Sequence, residues 1–127
     1  MSNSERKIII VDDGIIEAKI EEERKLLGDS VETMKKIGDF SGNKATHVTL
    51  LSADPAKLIE SSEDLIKILE NILAPEGKFV LKSEKITESE LGQKLTQTLK
   101  FSGYVSVSAS GDVISAEKDK FEVNFSF

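Results

Sequence analysis

Apolar positions fall into two rhythms along this chain. Lys7-Ile8-Ile9-Ile10-Val11 is a short β-branched run, apolar on both faces and closed by Asp12-Asp13-Gly14. Such a run predicts a strand buried on both sides. Over residues 15–37 the period changes: Ile16, Ile20, Leu27, Val31 and Met34 recur at spacings compatible with one helical face. Glu17, Glu21, Glu22, Arg24 and Lys25 take the opposite face, and Gly28-Asp29-Ser30 leaves open whether the stretch is one helix or two. Phe40-Ser41-Gly42-Asn43-Lys44 has the composition of a loop. Thr46 to Ser52 then reads as a second buried strand.

Ser61 with Asp64 has the form of a capping box, in which a hydroxyl accepts from an orphan N–H and a carboxylate faces the positive helix end. Leu65, Ile68, Leu69, Ile72 and Leu73 continue from it as one apolar stripe. Pro75 stops the helix, Gly77 permits a turn, and Lys78 to Lys82 follows as a strand. A strand, a helix, a tight turn and a strand make a βαβ unit, which implies parallel pairing. The pattern repeats: Thr87 with Glu90 predicts a second cap, Leu91, Leu95 and Leu99 stack, Gly103 closes the helix, and Tyr104 to Ala109 reads as a strand. Ser110-Gly111-Asp112 is a turn signal, so the last strands form an antiparallel hairpin. The tail from Phe121 to Phe127 alternates strictly between apolar and polar. The fold class expected is α/β: a mostly parallel sheet flanked by helices, an antiparallel hairpin at its C-terminal end, and one domain over residues 1–127.

Composition narrows the chemistry. The 127 residues suit a single core, and 39% hydrophobic with 31% charged residues suits a globular domain. A net charge of −6 argues against a nucleic-acid backbone as partner. There is no Cys, which removes disulfides, thiolate metal sites and Cys nucleophiles. The Met1 to Lys7 segment leads into only four apolar residues, short of a signal-peptide core, and no apolar run is long enough for a membrane-spanning helix. A cytoplasmic protein with no membrane partner is the expectation.

Two segments carry a resemblance. An amphipathic helix ending Ile68-Leu69-Glu70-Asn71-Ile72-Leu73, then Ala74-Pro75-Glu76-Gly77-Lys78-Phe79-Val80-Leu81, resembles the helix, Pro-Gly turn and strand of class I S-adenosylmethionine-dependent methyltransferases. Leu99-Lys100-Phe101-Ser102-Gly103-Tyr104 resembles their entry into a later strand. The anamorsin family, whose N-terminal domain is similar to a shortened methyltransferase, matches more closely, through Ser62 to Lys82 and Thr96 to Val107. The likeness covers residues 46–109 well and the first 45 loosely. It implies a non-catalytic docking and scaffold domain of an electron-transfer protein in cytosolic iron–sulfur cluster assembly. The implied partner is a diflavin reductase, and the implied clusters sit in a Cys-rich domain that this sequence does not contain. The chain is then an excised domain or a relative without the cluster-binding part. A monomer with no cofactor of its own is expected.

The residues themselves weigh on the alternatives. A working methyltransferase needs glycines after its first strand, for close backbone approach to the cofactor, and an acid after its second, for the ribose hydroxyls. Here the first strand ends Asp12-Asp13-Gly14-Ile15-Ile16-Glu17, with one glycine and two bulky residues. No cofactor-binding, catalytic or metal-binding residue is therefore assigned, and a methyltransferase remnant that still binds the cofactor stands as one alternative. The other is a response-regulator receiver, in which Asp12 and Asp13 hold Mg²⁺, Asp54 is phosphorylated and Ser83 is the switch hydroxyl. Against it, Asp54 does not end its strand directly, Tyr104 to Ala109 lacks a Lys, and the chain ends in a strand pattern. The bland reading of Asp12-Asp13-Gly14 is a turn at a helix start. His47, the single histidine, reads as structural, Glu21-Glu22-Glu23 as a solvated helix face or a docking patch, and Phe121, Phe125 and Phe127 as core or sheet face.

Overall fold

The computed structural model describes residues 6–11, 15, 17–28, 31–34, 44–52, 67 and 69–119. In chain order they form β1 (Lys7–Val11), α1 (Glu17–Leu27), β2 (Val31–Met34), β3 (Ala45–Leu51), helical residues at 67 and 69–72, β4 (Leu73–Lys82), a 3₁₀ turn (Ile86–Glu88), α2 (Glu90–Phe101), β5 (Val105–Ser110) and β6 (Val113–Glu117). Among the described residues the sheet has six strands, in the order β2-β1-β3-β4-β6-β5. β1 pairs in parallel with β2 and β3, and β3 in parallel with β4. β6 runs antiparallel to β4 and to β5, lying between them. The expected parallel sheet with a terminal antiparallel hairpin is present, Gly111 and Asp112 forming its turn.

The buried strands show why both faces had to be apolar. Ile8 and Ile10 point into the larger core, with Val48, Leu50, Phe79, Leu81 and Ile114. Ile9 and Val11 point the other way, with Ile20 of α1 and Leu51. That alternation is the period of two of a strand with helices on both sides. Leu69 and Ile72, and Leu95 and Leu99 of α2, close the larger core.

Three expectations need correction. Residues 15–37 are not one helical unit, because α1 ends at Leu27 and Val31–Met34 is the parallel edge strand β2. Gly28 takes φ +102°, a left-handed conformation that stops the helix. Lys7 Nζ donates to the Leu27 carbonyl at 2.6 Å, and Arg6 pairs with Glu32 at 2.7 Å across the start of β1 and β2. Leu27, Val31 and Met34 satisfy a helical period by coincidence. Thr87 and Glu90 do not form the second cap: Ser89 does, its hydroxyl accepting from Gly92 N at 3.0 Å, while Thr87 donates to the Gly111 carbonyl at 2.7 Å. Pro75 and Gly77 lie within β4 rather than before it. The pairing of β3 with β4 shifts from Ala45↔Leu73 to His47↔Lys78, so the residues between bulge outward and leave Pro75 exposed, where its missing N–H costs no ladder bond. Gly103 does close α2: it takes φ +87°, with Gly103 N bonded to Lys100 O and Tyr104 N to Leu99 O, a Schellman ending. The Ser61–Asp64 cap and the Phe121–Phe127 strand lie outside the described residues.

Candidate functional site

In an open α/β sheet, ligands bind beyond the carboxyl ends of the strands, where strand order reverses. Here the order reverses at β1, with β2 on one side and β3 on the other. A cleft of about 520 Å³ opens at that end of the sheet. Its walls are Ile15, Lys19, Glu22 and Glu23 around α1, Leu51 and Ser52 at the end of β3, Lys82, Ser83 and Glu84 after β4, and Asp112 and Val113 at the hairpin.

One ion pair dominates it. Lys82 Nζ donates to the Glu23 carboxylate, tying the last residue of β4 to the middle of α1. Glu23 is only 7% exposed, although it sits in an acidic run. Its burial follows from the helical period: Glu23 lies three residues after Ile20, on the face that meets the sheet, while Glu21 and Glu22 are exposed. The expectation of a uniformly solvated Glu21-Glu22-Glu23 face is thus corrected at Glu23. The remaining wall mixes the apolar Ile15, Leu51 and Val113 with polar residues of both signs. Ser52 and Ser83 are buried, and Ser83 is anchored by its backbone, its N–H donating to the Asp112 carbonyl at 2.9 Å and its carbonyl accepting from Ile86 N. Asp112 Oδ1 accepts from Lys85 N at 2.8 Å, which holds the hairpin against the end of β4.

The receiver reading is not supported by this topology. A receiver sheet runs 2-1-3-4-5, with its fifth strand beside its fourth. Here antiparallel β6 occupies that place. Ser83 does sit at a strand end facing the cleft, but Asp12, Asp13, Gly14 and Asp54 lie outside the described residues. His47 is half-buried on β3, its Nδ1 3.1 Å from the Thr46 hydroxyl, away from the cleft-lining residues. Among the described residues no group of three or more His, Asp or Glu side chains is arranged to hold a metal ion. No helix among them is long and apolar enough to cross a membrane.

Sequence reasoning missed the Glu23–Lys82 pair, which joins residues 59 apart. Its one local signal was Glu23 falling in register with Ile20.

The fold is that of the class I methyltransferases. A SAM-dependent O-methyltransferase from Thermotoga maritima superposes with a TM-score of 0.54 over 94% of this chain and 62% of the other, at 12% identity. The N-methyltransferase NodS from Bradyrhizobium japonicum is more distant, with a TM-score of 0.46 at 12% identity over 89% of this chain and 74% of that one. No family model matches the sequence. In sequence, the chain is similar to an anamorsin homolog from Nematostella vectensis, 41% identical over 73 residues. The match takes in 52% of this chain, and the chain spans about a quarter of that relative's length, 26%.

Of the residues that would meet the cofactor this fold implies, the turn at 12–14 and positions 35 and 36 after β2 lie outside the described residues. Ile15 forms part of the cleft wall next to the turn that would have to approach the cofactor closely. The Glu23–Lys82 pair lies in the cleft wall between α1 and β4.

Proposed function

We propose that this chain is a non-catalytic docking and scaffold domain of an anamorsin-like protein that carries electrons in cytosolic iron–sulfur cluster assembly. The similarity to an anamorsin homolog carries the reading. The methyltransferase-like fold agrees with it, and the reading is supported by the sequence Asp12-Asp13-Gly14-Ile15-Ile16-Glu17, which has one glycine where close approach of the backbone to S-adenosylmethionine calls for several. With no Cys and one His, the chain contributes binding rather than redox chemistry, because iron–sulfur clusters need several thiolates. The clusters belong to a Cys-rich region elsewhere in such a protein, and the partner is a diflavin reductase.

The contact surface assigned to that partner is the solvent side of α1, where Glu17, Glu21 and Glu22 are exposed beside Lys19, Arg24 and Lys25, with Arg24 3.9 Å from Glu21. Charges there speed encounter with a complementary partner surface and act mainly at low salt. Isothermal titration with S-adenosylmethionine and with its demethylated product tests the non-catalytic part. No heat of binding is expected, and a low-micromolar dissociation constant for either would overturn it.

A further inference from the structure

We infer that the outer edge of β5 is a surface through which two copies of this chain pair in antiparallel fashion. Among the described residues β5 ends the sheet and pairs with β6 alone. Every residue of β5 except Val107 is exposed. Beside it, Phe101 at the end of α2 is 85% exposed and Val105 is 42% exposed.

The sequence marks the same place independently. Phe101 to Gly111 is the longest stretch without a charged residue in a chain that is 31% charged. The next longest, Ala45 to Ala53, contains β3, a central strand with both neighbours paired, where absence of charge follows from burial. β5 has no such burial to explain it. Exposed edge strands normally carry Lys, Pro or inward-pointing charges that prevent pairing with another chain. β5 has none of these. Its single protective feature is a bulge, with Ser106 at φ 53° and a register shift between Val105 and Ser108, which leaves residues 108–110 as the regular part of the edge.

Charge decides the occupant. The chain carries −6 overall, so most face-to-face contacts between copies bring like charges together. The β5 edge is uncharged, and the run is bounded by Lys100 at one end and Asp112 at the other, both exposed. A two-fold axis makes an interface self-complementary, each residue meeting its counterpart in reverse order. Antiparallel pairing of two β5 edges therefore sets the acidic end of one copy toward the basic end of the other, whereas parallel pairing would set like with like. A six-residue strand is a small contact compared with the roughly 800 Å² per partner of a standard interface, so the dimer is weak. This surface lies apart from the solvent side of α1 and meets the cleft only at Asp112, and it replaces the expectation of a monomer.

Sedimentation velocity of the whole chain, from about 10 μM to about 1 mM, tests it. The expected result is a mass rising with concentration from one chain to two. Ala109→Lys and Val105→Lys, both at exposed positions, should hold the protein at one chain over the whole range with an unchanged circular dichroism spectrum. Hydrogen exchange at the β5 amides should slow as concentration rises, in the unaltered chain only. A single-chain mass throughout overturns the inference. So does a dimer that survives both substitutions, or one whose β5 exchange does not depend on concentration.

Discussion

Replacing Tyr104 by Phe should make this protein more stable. Tyr104 sits at the entry to β5, 7% exposed and part of the larger core. Its hydroxyl is buried and has no hydrogen-bond partner among the described residues. Burying a hydroxyl without a partner costs about 1–3 kcal/mol. Phe keeps the ring and its packing and removes only that cost, so Tyr104→Phe is expected to stabilise by about 1–2 kcal/mol. At about 2.1 cal/mol/K of unfolding entropy per residue, a chain of 127 residues shifts its Tm by roughly 4 °C per kcal/mol. The melting temperature should therefore rise by about 4–8 °C, with a matching rise in the urea midpoint and an unchanged slope. The same group gives a pH signature. Burial pushes the Tyr104 phenol up to about 12, and the charge of Glu70 adds to the effect. The folded state then holds its proton while the unfolded state releases it, so stability falls as pH rises from about 10 towards 12. Tyr104→Phe should remove that part of the decline. A loss of 1 kcal/mol or more at neutral pH would refute the reasoning, because it would mean that the hydroxyl has a partner in solution.

Other perturbations follow from the same packing. Leu69→Ala, at a side chain 1% exposed in the larger core, should cost about 2–5 kcal/mol by urea unfolding. Glu23→Ala should cost about 1–3 kcal/mol, since it removes the buried partner of a Lys82 that can still reach water, whereas Glu21→Lys and Glu22→Lys should stay within about 0.5 kcal/mol of the parent. The hydrogen bond from Arg6 holds the Glu32 carboxyl below its ordinary value. The stability it contributes is present above the unfolded-state carboxyl value and is lost as pH falls through the folded one, and an acid titration of Glu32→Gln should lack that component.

The strands that face two cores were legible in the sequence because their burial is local and repetitive. Ile8-Ile9-Ile10 has no polar face to offer water, and Leu95 with Leu99 has only one face to bury. β2 was not legible because four residues hold too little of either period, and Val31 and Met34 happened to continue the helical spacing of Leu27. The start of α2 was misplaced by two residues because Thr87 and Ser89 are both competent caps, and only the hairpin carbonyl of Gly111 decides which hydroxyl is spare. The cleft itself was hidden for a different reason. Glu23, Ser52, Lys82 and Asp112 meet only after the sheet forms, and nothing in an acidic triplet marks one member as buried unless the sheet-facing side of α1 is already known.

Titration of the domain with a diflavin reductase of the iron–sulfur assembly pathway tests the central claim most directly. It should be run at low and at about 150 mM salt, with S-adenosylmethionine absent. The account predicts saturable binding by this domain alone, weakened by Glu21→Lys with Glu22→Lys chiefly at low salt, because charges of this kind are screened within about 10 Å at 0.1 M. No association by this domain, with full association by the linker and Cys-rich part of an anamorsin protein alone, would contradict it.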